Sequence, residues 1–346
     1  MASTALSVYS TPSSLQLNNL DMSSSQKIIA VVGATGTQGA SVARTFLALP
    51  NWHVRCLTRT PSSEKAQALA IQGAELVQAE LDDPESLRRA FAGVHAIFLN
   101  TDFWEPYRRA VSSGIDAAAC AKIGYDAEVK FGKNAVNAAR EVPTLERFIF
   151  SALGPMNAAS GGKYPYSYHW ETKAFLADYI QGTELGKLSS FIYIGAYLTN
   201  QFVYPKHQQD IGGYALVLPA SKQTRLPVID TGRSTGPFVK ALIEEEVPGT
   251  KLLAYDEYLT FEEILNTWSK VAGKQALFVQ MDMQDMHEKF GVPIEVLGGP
   301  AFLNEFDYCA GIPGVIEPSQ LKSQVDVKSF EESLRGMDVD FLLGTK

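Results

Sequence analysis

The sequence predicts an α/β protein built on a doubly wound parallel sheet, with a smaller C-terminal α/β substrate lobe. Two observations carry this prediction. An apolar run at 27–32 leads into a glycine-rich turn and then a helix, and short apolar runs alternate with helical segments as far as residue 194. This alternation is typical of right-handed βαβ units, which cover a parallel sheet with helices on both faces.

The predicted elements follow one another along the first half of the chain. Strands are predicted at 27–32, 53–57, 74–78, 95–99, 147–151 and 190–194. Helices are predicted at 37–49, 62–72, from 83 onwards, up to about 140, and at 168–180. Because parallel strands share one carboxyl edge, we expect ligands to gather there. The residues at that edge are Gly33, Thr58, Leu81, Asn100 and Ser151.

From residue 196 the strands become shorter and turns more frequent. Thr260 and Glu263 form a predicted capping box that starts a helix through Lys270. A strand is predicted at 278–281, irregular walls at 291–319 and a last helix at 325–334. We therefore divide the chain into a Rossmann domain at 27–195 and a substrate lobe at 196–346 that is interleaved with it. Residues 1–26 are rich in Ser and Thr, lack Lys and Arg, and are predicted to be a disordered leader.

Composition excludes several classes of function. The 346 residues are 46% hydrophobic and 20% charged, as in globular proteins with a sizeable core. The net charge of -8 disfavours nucleic-acid binding, and no apolar run reaches the length of a membrane span. The three cysteines lie far apart without metal-ligand spacing, so we predict no metal site and a reduced, cytoplasmic compartment.

Three glycines, Gly33, Gly36 and Gly39, occupy the turn after the first strand. The first permits a tight turn, the second leaves room for a pyrophosphate, and the third lets the helix pack close to the strand. The helix N-terminus then presents unpaired N–H groups to phosphates. In this strand-and-helix context the pattern is the fingerprint of a Rossmann-type fold that binds a dinucleotide. The predicted contacts are Gly33, Thr35, Gly36, Thr37, Gln38 and Gly39.

The end of the second strand indicates which dinucleotide is bound. An acidic residue there would hold a ribose 2′-hydroxyl, whereas a basic one would pair with a 2′-phosphate. This chain has Arg59 and no acidic residue before Glu64, which favours NADP over NAD. Lys65 either adds to the phosphate site or is simply solvated.

Two further polar residues lie at strand ends. Asp82 follows the third strand, and it either accepts a hydrogen bond from the adenine amino group or caps the next helix. Asn100 ends the fourth strand and is predicted to border the second ribose. Phe103 and Trp104, which follow Asn100, either wall the site or serve packing alone.

Reduction of a carbonyl requires a proton donor near the substrate oxygen. Short-chain dehydrogenases place a Ser after the fifth strand, and a Tyr and a Lys four residues apart on one face of the next helix. Here Ser151 and Lys173 match, but His169 stands where the Tyr would be. Ser151 is predicted to orient the substrate and Lys173 to bind the nicotinamide ribose. His169 either donates a proton, because imidazole titrates near neutral pH, or only starts the helix.

Together these residues resemble the NmrA-like family, an atypical branch of the short-chain dehydrogenase/reductase superfamily. The similarity spans about 27–341. The matching segments are VGATGTQG at 32–39, HVRCLTR at 53–59, LDDPESL at 81–87, NTDFWE at 100–105 and HWETK at 169–173. An arginine at Arg59 resembles members that favour NADPH. An insertion at about 107–127 departs from the shorter family pattern and leaves the substrate open.

The resemblance implies two functions of different classes. The first is an NADP-dependent oxidoreductase that reduces a carbonyl or conjugated double bond of a small, secondary-metabolite substrate. Family reductases can use the helix Lys alone as acid and base, so Lys173, alone or with His169, would supply the proton. The second is a catalytically silent NAD(P)-binding redox sensor that regulates a transcription factor or another protein partner.

Overall fold

The computed structural model describes residues 26–344 of the chain, so the predicted leader lies outside the described residues except for Gln26. The strands of this range are β1 (Lys27–Val32), β2 (Trp52–Thr58), β3 (Glu75–Gln78), β4 (Ala96–Leu99), β5 (Arg147–Ala152), β6 (Ser189–Ile194), β7 (Ala196–Tyr197), β8 (Lys206–Gln208), β9 (Gly213–Leu218), β10 (Arg225–Ile229), β11 (Lys251–Ala254), β12 (Glu257–Thr260), β13 (Ala276–Gln280) and β14 (Val315–Ile316).

An α-helix lies in each connection from β1 to β6 and in several of the later ones. The α-helices are α1 (Thr37–Leu47), α2 (Glu64–Ile71), α3 (Pro84–Phe91), α4 (Trp104–Ser112), α5 (Ala117–Arg140), α6 (Met156–Ala159), α7 (Tyr168–Gln181), α8 (Thr231–Glu244), α9 (Phe261–Ala272), α10 (Met283–Phe290), α11 (Ile294–Leu303), α12 (Phe330–Arg335) and α13 (Val339–Leu342). Short 3₁₀ turns lie at Glu184–Leu188, Gln201–Val203 and Pro318–Gln320. No helix between residues 26 and 344 is both long enough and apolar enough to cross a membrane.

The central sheet has eight strands in the order β14-β11-β6-β5-β4-β1-β2-β3, and each neighbouring pair is parallel. The strand order reverses between β1 and β4, where doubly wound sheets form their ligand crevice. Two three-stranded sheets, β12-β10-β7 and β13-β9-β8, belong to the second half of the chain. The predicted fold class is therefore confirmed, and β11 and β14 show that the second half also contributes to the main sheet.

The central strands are buried on both faces, as apolar runs in parallel sheets require. Along β1, Ile29 and Val31 pack into the core against α1 and α8, while Ala30 and Val32 pack into the opposite core against α3, α5 and α7. This two-sided burial fixes the register of the strands and therefore the position of the loops at their carboxyl ends.

Helix ends follow local sequence signals. Asp83 caps α3 by accepting a hydrogen bond from the Glu85 N–H, and Pro84 is its first residue. The predicted capping box is confirmed, since Thr260 and Glu263 exchange side-chain and backbone hydrogen bonds at the start of α9. These caps account for the close match between predicted and observed starts.

Two predictions for the second half are wrong. The stretch 291–319 is not irregular throughout, because α11 occupies Ile294–Leu303 despite two glycines and a proline inside it. The helix predicted at 325–334 begins instead at Phe330, where the Ser329 hydroxyl caps α12, and it is not the last one, because α13 follows it. The predicted division of the chain at residue 195 stays a prediction.

Candidate active site

A cavity of about 1440 Å³ lies between the carboxyl edge of the main sheet and the second half of the chain. Gly33, Thr58, Leu81, Asn100 and Ser151 all line it, so these five strand ends share one cavity, and the binding of a ligand there stays a prediction. A ligand in this cavity would therefore contact loops from five strands and the wall contributed by residues beyond 195.

The glycine loop is shaped for close backbone approach. Gly33 has φ of +74°, in the left-handed region that favours glycine. A Cβ on Gly39 would lie 2.2 Å from the Gly33 carbonyl oxygen, so only glycine lets α1 pack this close to β1. Gly36 is the N-cap of α1 and supplies no side-chain cap, which leaves the first-turn N–H groups facing the cavity mouth.

These features fit the phosphates of a dinucleotide. Gly33, Thr35, Gly36, Thr37 and Gln38 line the cavity, whereas Gly39 is buried between strand and helix. The exposed N-terminus of α1 suits an anion, and Gly33 and Gly36 add no side chain that would obstruct a pyrophosphate.

Gln38 also links the glycine loop and α1 to the second half of the chain. Its Nε2 donates a hydrogen bond of 2.5 Å to the hydroxyl of Tyr197 in β7. Among the described residues, the buried Gln38 Oε1 has no partner. Burial raises the pKa of Tyr197, and the Gln38 contact only partly opposes this, so Tyr197 stays a neutral hydroxyl.

Of the three residues predicted to contact the adenosine part of the cofactor, two line the cavity and one does not. Arg59 follows β2 and lines the cavity. Asp82 also lines it, but its carboxylate pairs with Lys130 of α5 and does not cap α3, which Asp83 does. Lys65 lies on the exposed face of α2 and is absent from the cavity wall, so the structure does not bring it to the site.

Lys173 is held by four acceptors. Its Nζ lies 3.3 Å from Asn100 Oδ1, and 3.1 and 3.2 Å from the carbonyl and hydroxyl oxygens of Thr101. Glu128 Oε1 lies 3.2 Å away, and the Lys173 side chain is only 12% exposed. An ammonium group has three protons to donate, so these acceptors hold the end of the Lys173 side chain at the cavity wall.

Glu128 is the centre of this network. It is fully buried inside α5, yet it carries a carboxylate, which is tolerated in a protein interior only when it is paired and hydrogen-bonded. The Thr101 hydroxyl donates to Glu128 Oε1 at 2.6 Å, and the Thr172 hydroxyl donates to Oε2. With Lys173, these contacts link β4, α5 and α7 at a single point.

His169 lies at the start of α7 and lines the cavity. Its Nδ1 lies 2.5 Å from Oε1 of Glu295, a residue of α11 whose side chain is 4% exposed. The imidazole packs against Trp104 and Phe103, with ring centroids 4.9 and 5.9 Å away. Both aromatic rings also line the cavity, so the wall they form is directly beside His169.

The third predicted catalytic residue is Ser151. It lies in β5, is 2% exposed and lines the same cavity as Lys173 and His169. Ser151, His169 and Lys173 therefore line the same cavity, with a histidine where short-chain dehydrogenases have a tyrosine, and their catalytic roles stay predictions.

The opposite wall is largely apolar. It is built from the second half of the chain, where polar side chains at Asn200, Lys206 and Gln208 accompany apolar and aromatic ones at Phe202, Tyr204, Leu216, Leu218, Leu226, Met286, Phe290, Val292, Pro293, Val296, Leu297, Leu303 and Tyr308. Such a wall with a few polar groups at one end is typical of sites for small apolar molecules.

The structure gives little support to a metal site or to a reactive cysteine. Between residues 26 and 344, no group of three His, Cys, Asp or Glu side chains is arranged to hold a metal. Burial raises the pKa of the Cys56 and Cys309 thiols to about 12, so neither is a reactive thiolate.

Two acidic residues of the site escaped the sequence reasoning. Glu128 had a local signal, since it lies midway between Gly124 and Gly132 at intervals of four residues, on one helix face. A Cβ on either glycine would collide with Phe103 or Leu176, which marks that face as the packed one. Glu295 had no local signal, because it contacts a residue 126 positions away.

The fold and these residues define a Rossmann-type protein of the short-chain dehydrogenase/reductase superfamily. More specifically, the chain belongs to the NmrA-like family, whose model matches residues 25–333. The predicted family resemblance is therefore confirmed.

Curated relatives fall into two kinds. The NmrA-like family domain-containing oxidoreductase hkm9 of Aspergillus hancockii is 28% identical over 285 residues, covering 79% of this chain and 80% of that protein. The nitrogen metabolite repression protein nmrA of Emericella nidulans is 25% identical over 283 residues, covering 79% of this chain and 73% of that protein.

Solved structures agree on the fold. NmrA, a negative transcriptional regulator in complex with NADP, has a TM-score of 0.66 at 21% identity and covers 90% of this chain and 95% of its own. Isoflavone reductase has a TM-score of 0.64 at 16% identity, covering 89% of this chain and 98% of its own. At these identities the likeness shows a shared fold.

Proposed function

We propose that the protein is an NADP-dependent oxidoreductase that reduces a carbonyl or conjugated double bond of a small, largely apolar metabolite. The observation that carries the proposal is the meeting of three features in one cavity. These are an open glycine loop, a cavity-lining arginine after β2, and a wall that holds His169 and Lys173 opposite apolar side chains. Relatives named as oxidoreductases support the same class.

The dinucleotide-binding part is assigned to the glycine loop and to Arg59. The α1 N-terminus would bind the pyrophosphate through backbone N–H groups, and the Arg59 guanidinium would pair with the 2′-phosphate. Asn100 borders the ribose that carries the nicotinamide. NADPH bound there would supply the hydride for reduction.

The protein groups around the substrate then stabilise charge and move a proton. The Lys173 ammonium group is held at the cavity wall, where it would lower the energy of negative charge that develops on the substrate oxygen. With its protons engaged by Asn100, Thr101 and Glu128, it is poorly placed to act as the donor. We assign proton donation to His169 and orientation of the substrate oxygen to Ser151.

The proposal is tested by following NADPH absorbance during incubation with a panel of apolar ketones and enones. We expect turnover with at least one aromatic or alicyclic member. The variant His169→Asn should lower that rate by about 100-fold or more, while His207→Asn should leave it unchanged. Tight NADPH binding without turnover of any substrate would overturn the assignment as an enzyme.

A second function has its own support. His169 replaces the tyrosine donor, and the chain is 25% identical to a nitrogen metabolite repression protein. Under this alternative the protein is a catalytically silent NAD(P)-binding sensor, and occupancy of the cavity changes its affinity for a protein partner. Absence of turnover, combined with copurification of a partner that NADP releases, would favour it.

A further inference from the structure

Helix α7 lacks a cap of its own. Its N-cap residue, Ser167, makes no side-chain cap hydrogen bond. The missing acceptor comes from Glu295, whose two carboxylate oxygens accept hydrogen bonds from the Tyr168 and His169 backbone N–H groups at 3.0 and 2.8 Å. A carboxylate at this position also suits the positive end of the helix dipole.

The same carboxylate binds the His169 imidazole. One oxygen, Oε1, lies 2.8 Å from the His169 backbone N and 2.5 Å from its Nδ1. Because an ionised carboxylate only accepts hydrogen bonds, Nδ1 must carry a proton. Nε2 is then the only ring nitrogen that can gain or lose a proton toward the cavity.

We propose that Glu295 is the positioning residue of the proton donor: it fixes the Nδ1–H tautomer of His169 and so presents Nε2 to the substrate. This inference rests on the proposed reductase function. When the substrate is reduced, the Nε2–H bond of the imidazolium breaks and an O–H bond forms on the substrate oxygen. The imidazole becomes neutral, and solvent returns the proton to Nε2.

Glu295 also connects the donor to the substrate wall. It belongs to α11, and Val296 and Leu297 of the same helix line the cavity. The contact between α11 and the start of α7 is tight, because a Cβ on Gly298 would lie 2.2 Å from Ser167 Oγ. The helix that contributes Val296 and Leu297 to the cavity therefore also carries the carboxylate that holds His169.

The tautomer is measured directly by ¹⁵N NMR of protein labelled at histidine. The chain has five histidines, and the His169 signals are assigned from their loss in His169→Asn. In the wild type we expect the neutral ring to be protonated at Nδ1. In Glu295→Ala we expect a majority of the Nε2–H form, which free histidine prefers. This readout requires no turnover, so it fails independently of the proposed function.

Two variants keep the test interpretable if Glu295→Ala disturbs α7. Glu295→Gln retains an oxygen that accepts from His169, so it should keep the Nδ1–H form. The matched control is Glu305→Gln, since Glu305 follows α11 but contacts Lys163 and Tyr164 instead. Its ¹⁵N spectrum should be that of the wild type.

Kinetics give the second readout. With a turned-over substrate, Glu295→Ala should lower kcat by roughly 100-fold, Glu295→Gln by less, and Glu305→Gln not at all. NADPH affinity should change by less than about threefold in all three. An unchanged His169 tautomer in Glu295→Ala, or equal kcat in Glu295→Ala and Glu305→Gln, would overturn the proposal.

Discussion

Replacing Lys173 by Met should destabilise the protein far more than loss of an ordinary surface charge. The substitution keeps the aliphatic volume of the side chain but leaves the Glu128 carboxylate without a cation. Glu128 is fully buried, and Lys173 is only 12% exposed, so little solvent reaches the pair. Removing one member of a buried ion pair costs about 3–5 kcal/mol, because the remaining charge is desolvated and unpaired.

The double variant Glu128→Gln/Lys173→Met separates this explanation from simple loss of packing. The introduced glutamine side chain would carry no charge, and its amide can still form hydrogen bonds with the hydroxyls of Thr101 and Thr172. We therefore expect the double variant to recover at least about 2 kcal/mol relative to Lys173→Met alone.

The assay is equilibrium unfolding in urea at pH 7, followed by fluorescence of the four tryptophans. The matched control is Lys122→Met, on the same helix as Glu128. Lys122 pairs with Asp126, but both side chains are 60% exposed, so the loss should be about 0.5 kcal/mol or less. Equal losses for Lys122→Met and Lys173→Met, or a double variant no more stable than Lys173→Met, would refute this reasoning.

Three further predictions concern the cofactor loop and a buried acid. Arg59→Ala should weaken NADPH binding by roughly 10–100-fold and NADH binding little, as measured by calorimetry, with Lys65→Ala as the inert control. Gly39→Ala should abolish dinucleotide binding and lower the melting temperature, because its Cβ would lie 2.2 Å from the Gly33 oxygen; wild-type affinity would contradict this. Burial raises the pKa of Asp256 from 3.8 to about 6, so the unfolded chain releases this proton first and stability falls as pH rises from about 4 to 6. In Asp256→Asn the free energy of unfolding should fall by on the order of 2–3 kcal/mol less over this pH range. If the free energies of unfolding of the two proteins changed in parallel with pH, Asp256 would not be the group responsible.

Local sequence signals predicted the first half of the fold because strands and helices there are marked by apolar runs, glycines and caps. Lys27–Val32 ends at Gly33, and Asp83 with Pro84 starts α3, as the sequence indicated. The second half was harder, since α11 contains Gly298, Gly299 and Pro300, which normally argue against a helix. Tertiary packing against the start of α7 outweighs these local preferences.

In the candidate site, too, local sequence patterns predicted some residues, whereas long-range packing determines others. The position of His169 and Lys173 on one wall follows from helix periodicity, which the sequence shows directly. Their partners do not follow from it, because Glu128 and Glu295 approach from other elements and are chosen by long-range packing. Sequence reasoning therefore identified the candidate reacting groups but not the carboxylates that contact them.

The most direct test of the central claim is calorimetric titration of the purified full-length chain with NADPH, NADP, NADH and NAD. If the glycine loop and Arg59 form the dinucleotide site, NADPH and NADP should bind at one site per chain, at least tenfold more tightly than NADH and NAD. Absence of binding heat with all four nucleotides, confirmed by unchanged melting temperatures, would contradict the account.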